Sequence, residues 1–137
     1  MTEEAIREIT YAFGDASVPP QYHRSYTITV TPNAAAVVVD SYGDVLAEKT
    51  YQITPDRFRE IVASLKRSGI EHAALEDDDG CTGGTTETVS FSSGEKEVFS
   101  ATVYHCGGRD SGNLGGDVKS FADDVRELTP DLAELLK

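Results

Sequence analysis

Apolar and polar residues alternate along several stretches of the chain, and that period of two is the strand signature. Ile9, Tyr11 and Phe13 fall on one side of residues 7–13, although Ile6, Ile9 and Phe13 also fit a helical stripe. Tyr26, Ile28 and Val30 alternate with Thr27 and Thr29, a half-buried strand of β-branched and aromatic residues. Pro32-Asn33 turns the chain, 37–40 runs back, Tyr42-Gly43-Asp44 turns again, and 45–53 completes a meander. Residues 85–92 and 95–104 flank Ser93-Gly94, a hairpin signal.

The period changes to 3.6 in two places. Thr54-Pro55-Asp56 reads as an N-cap, a first-turn proline and an acid at the positive end of the helix dipole. Phe58, Ile61, Val62 and Leu65 then form one buried stripe, and Gly69 supplies the left-handed stop. Asp117 opens a second helix carrying Val118, Phe121, Val125 and Leu128. Thr129-Pro130-Asp131 repeats the cap chemistry before a last short helix with Leu132, Leu135 and Leu136. These elements predict one α+β domain over 1–137, with an antiparallel sheet of about five to six strands (meander plus hairpin) and two amphipathic helices packed on one face.

Charge narrows the function classes. Twenty-four acids against twelve bases give a net charge of −12, which repels a phosphate backbone and an anionic lipid surface. Neither nucleic acid nor membrane is expected as a partner. No apolar run approaches the roughly 18 residues that span a bilayer. Acids stand near the start where an export signal carries Lys or Arg, and the expectation is a cytoplasmic protein.

Nine of the twelve glycines lie between Gly80 and Gly116. Such clusters mark tight turns, bulges or close backbone approach, or else a binding loop held by a sheet. Both cysteines sit among them. A two- or four-residue hairpin loop sets Cys81 opposite Cys106, whereas a three-residue loop aligns Val89 and Phe91 with Phe99, Ala101 and Val103 and moves the cysteines one place out of register, which a bulge at Gly83-Gly84 would restore. The two therefore form a candidate thiol or redox pair, with two inert thiols as the plainer alternative. His72, Cys81, His105 and Cys106 offer zinc donor types, but in no familiar spacing.

His105, Arg109 and Asp110 make a candidate loop site, to which Cys81 could add a nucleophile. Residues 75–86 approach a calcium loop but place Leu75 and Thr86 at the first and last ligand positions. Gly107 to Gly112 has phosphate-loop spacing, yet Asn113-Leu114 stand where Lys and Ser/Thr are needed. No cofactor and no metal is expected. Tyr22, Arg24 and Tyr26 form an aromatic and basic cluster suited to protein contact. The sequence thus favours a non-catalytic protein-binding or regulatory module, contacting its partner through the glycine-rich end or an exposed strand edge. A thiol redox or metal-responsive domain stands as the alternative, and a small enzyme near Cys81 and His105 stands behind it.

Overall fold

A computed structural model describes residues 6–15, 19, 21, 23–72, 84–93, 96–106 and 109–136, with backbone alone at 96–98, 106 and 109–111. The first stretch is a strand, β1 (Glu8–Gly14), and the helical alternative at Ile6, Ile9 and Phe13 is not realised. The meander follows as β2 (Ser25–Thr31), β3 (Ala34–Ser41) and β4 (Asp44–Gln52). Helix α1 (Pro55–Arg67) leads to a two-residue strand, β5 (Glu71–His72). The hairpin β6 (Thr85–Ser93) and β7 (Lys96–Cys106) comes next. The segment expected to be loop instead holds two short strands, β8 (Arg109–Gly112) and β9 (Leu114–Gly115). Helices α2 (Val118–Arg126) and α3 (Leu132–Leu135) close the chain.

The fold is α+β. Its main sheet is antiparallel, in the order β4-β3-β2-β1-β6-β7-β8, and β5 pairs with β9 in a second small sheet. The extra strand β8 carries the main sheet past the expected five to six. Alternation assigns the faces: Ile9, Tyr11, Tyr26, Ile28, Val30, Ala35, Val37, Val39, Val89, Ala101 and Val103 are all buried on one side. The stripe of α1 (Phe58, Ile61, Val62, Leu65) and that of α2 (Val118, Phe121, Ala122, Val125) join the same core. Antiparallel sheets tolerate this arrangement, with one face dry and the other wet. The wet face carries Thr27, Thr29, Thr88, Ser90 and Thr102 and buries none of them.

The α1 start follows its sequence signals. Thr54 accepts a hydrogen bond from the Arg57 amide at 3.1 Å, and Pro55 fills the first turn. Replacing Thr54 with Ala is expected to cost about 1 kcal/mol, read as a lower midpoint of denaturant unfolding by circular dichroism. The second Thr-Pro-Asp behaves differently. Thr129 is buried, its hydroxyl bonds back to the Arg126 carbonyl at 3.1 Å, and α3 begins only after Asp131. Thr129 therefore finishes the α2 turn instead of capping α3.

The two long helices are tied where α1 ends and α2 begins. Gly69 adopts φ +67, and the Asp117 amide donates to the Ser68 carbonyl at 2.7 Å. Asp117 itself caps α2 by accepting from the Ser120 amide at 3.1 Å.

Candidate functional site

The hairpin register decides which residues meet at the glycine-rich end. Val89 stands opposite Ala101 and Phe91 opposite Phe99, with a register shift between Phe91 and Ser92. The apolar residues of both strands thus share a face. The ladder ends at Thr85 opposite His105, so one further step sets Gly84, not Cys81, against Cys106. The register shift keeps Val89, Ala101 and Val103 on the buried face, because a one-residue slip would turn a whole strand inside out. Cys81 itself lies outside the described residues. The Cys106 backbone pairs with that of Arg109, and His105 with Asp110, across β7 and β8.

On the core face, His105 reaches Glu87. Its Nε2 lies 2.7 Å from Glu87 Oε1, and the Tyr11 hydroxyl donates to Glu87 Oε2 at 2.6 Å. The carboxylate is only 17% exposed and has a partner on each oxygen. Such charge-assisted bonds allow a carboxylate to remain beneath a sheet. Burial, followed by the bond to Glu87, pushes the Tyr11 phenol well above its usual range. Glu87, Val103 and His105 border a cleft of about 340 Å³, closed on the other side by Leu114 to Lys119. The sequence named His105; Glu87 and Tyr11 were missed because they lie 76 residues apart.

His72 is held elsewhere. Its ring stacks on Phe99 at 4.5 Å and its Nε2 lies 3.2 Å from the Ser100 carbonyl. His105 lies about 16 Å further along β7 at ordinary strand rise. The two imidazoles do not assemble a zinc set, and among the described residues no three His, Cys, Asp or Glu groups are placed to hold a metal. Most of the calcium-like segment at 75–86 lies outside the described residues.

The aromatic and basic cluster is also redistributed. Tyr22 lies outside the described residues. Tyr26 is buried, and its hydroxyl accepts from Arg126 of α2 at 3.2 Å, which removes it from any contact surface. The Arg24 amide donates to Asp15 Oδ2 and its guanidinium to the His23 carbonyl. His23 is buried and stacks on Tyr42 at 3.8 Å between ring centres.

That stack marks the tip of the β3–β4 hairpin. Tyr42 and Gly43 take φ 51 and φ 92, a two-residue turn with both residues in the left-handed region. Tyr42, Val45 and Leu46 are 56%, 59% and 48% exposed. Scattered surface apolar residues are ordinary, but three within five positions form a patch. The register shifts between Val39 and Asp40, where a bulge falls beside Leu46 and can re-aim its side chain. Asp40, Asp44 and Glu48 surround the patch in sequence and register. Among the described residues β4, from Asp44 to Gln52, pairs with β3 alone and forms a sheet edge.

No model of a known protein family matches the chain, and neither does any curated protein. No helix among the described residues is long and apolar enough to cross a membrane.

Proposed function

We propose that the chain is a non-catalytic protein-binding module that receives an extended segment of its partner along β4. The observation that carries this reading is the nine-residue edge strand β4 with Tyr42, Val45 and Leu46 exposed at one end. An open edge presents unpaired backbone donors and acceptors to a partner strand, and side-chain pockets add specificity. Apolar and aromatic anchors supply most of the binding energy at such surfaces. Asp40, Asp44 and Glu48 favour a partner segment with an apolar residue between basic ones, and the net charge of −12 steers it in. Lys49 does not oppose it strongly, because it is paired with Asp131 at 2.5 Å.

Selection from a displayed peptide library tests the reading. Enriched peptides are expected to combine Lys or Arg with an apolar residue, to move amide resonances of 42–52, and to bind more weakly as salt rises. Leu46→Asp is expected to weaken them by about tenfold or more, a loss typical of a central anchor. Peptides that bind elsewhere, or bind Leu46→Asp as well as wild type, overturn it.

A further inference from the structure

We propose that a groove between the entry to β1 and the first turns of α1 binds small carboxylic acids that carry an apolar body. Ile6, Phe58 and Val62 give it an apolar surface, and each is almost fully buried. Pro32 and Pro55 complete its lining around a volume of about 340 Å³, within the usual range of small-ligand sites. Among the described residues of that lining, the charged ones are Arg7 and Arg59. Acids outnumber bases two to one in this chain, yet none of the described residues that line the groove is acidic.

Both guanidiniums are available to an incoming anion. Arg7 is exposed and makes no ion pair among the described residues. Arg59 pairs with Asp56 one turn earlier on α1, where the two side chains are 68% and 83% exposed. A pair so open to water contributes little and can exchange for a second carboxylate. Guanidinium presents a planar fork of donors that matches a carboxylate, and the adjoining apolar surface takes up the rest of the ligand. The α1 amides are not the recruiting element, since Pro55 has no N–H and Thr54 already accepts from the Arg57 amide. This site is independent of the β4 edge: it takes a free small molecule, and its recognition charge is opposite.

Hexanoate, 1-hexanol and hexylamine, titrated into the ¹⁵N-labelled full chain, separate the contributions. Hexanoate is expected to give saturable shifts at 6–7 and 55–62, hexanol to bind about tenfold more weakly, and hexylamine to give no saturable shift. Arg7→Gln and Arg59→Gln are each expected to weaken hexanoate about fivefold with an unchanged unfolding midpoint, since both side chains are at the surface. N-acetyl-Ala-Leu compared with its amide then distinguishes a peptide terminus from a free acid as the source of the carboxylate. Failure of hexanoate to saturate, equal binding of hexylamine, or wild-type binding by the double Arg7→Gln/Arg59→Gln variant overturns the proposal.

Discussion

Gly116→Ala is expected to destabilise the protein by on the order of 3 kcal/mol, because two costs coincide there. Gly116 has φ +105, which a side chain rarely adopts. A Cβ would also lie 2.5 Å from the Gly69 carbonyl oxygen and 2.9 Å from the Ile70 nitrogen, both backbone atoms that cannot swing aside. The bond from the Asp117 amide to Ser68 holds that close approach, so relief of the clash pulls α2 away from α1. Gly43 provides the control. It has φ +92 with nothing within 4 Å of an added Cβ, so Gly43→Ala incurs the backbone cost alone, about 1–2 kcal/mol. Denaturant unfolding of the two variants checks the difference. Equal destabilisation would mean that close backbone packing is not what requires glycine at 116. For this glycine, dense α1–α2 packing is reason enough without a ligand.

Alkaline pH is expected to unfold the protein through Tyr11. Its phenol titrates far higher in the folded chain than the usual value near 10, because it is buried and bonded to the Glu87 carboxylate. Above about pH 10 the unfolded chain releases this proton while the folded chain keeps it. Unfolding then releases a proton, so stability is intact below pH 10 and falls by up to about 1.4 kcal/mol per pH unit above it. Tyr11→Phe is expected to flatten that alkaline limb. At neutral pH the same variant loses about 1–3 kcal/mol, since the largely buried Glu87 carboxylate loses a donor. Urea midpoints measured from pH 7 to 11 for both proteins check the sign. An identical alkaline slope in Tyr11→Phe would exclude Tyr11 as the responsible group.

The glycine-rich end and the edge strand thus have different characters. Near Gly112 and Gly116 the glycines permit backbone contacts: a Cβ on Gly112 would lie 2.3 Å from the Thr102 carbonyl oxygen. The β3–β4 hairpin uses its turn to project side chains outward. Binding energy needs exposed apolar area, and that favours the hairpin over the glycines as a contact surface.

Local chemistry made the helices and the meander legible. Thr54-Pro55-Asp56, the Phe58 to Leu65 stripe and Gly69 each specify a conformation within a few residues of themselves, and each appears as read. Alternation likewise identified β1, β2, β6 and β7 and the face each one buries. It could not tell which strands are neighbours: β1 lies between β2 and β6, and its pairing of Ile9 with Phe91 joins distant parts of the chain. The hairpin register was equally undetermined from Ser93-Gly94: the ladder runs to Ser93 opposite Lys96, and a shift between Phe91 and Ser92, which no turn signal marks, brings Phe91 opposite Phe99. Tyr26 looked like a contact residue beside Arg24 until α2 covered it. The Tyr11–Glu87–His105 chain and the Arg7–Arg59 groove combine residues far apart in the sequence. Periodicity records which face of an element is apolar, but it carries no information about what that face meets, and only tertiary packing decides that.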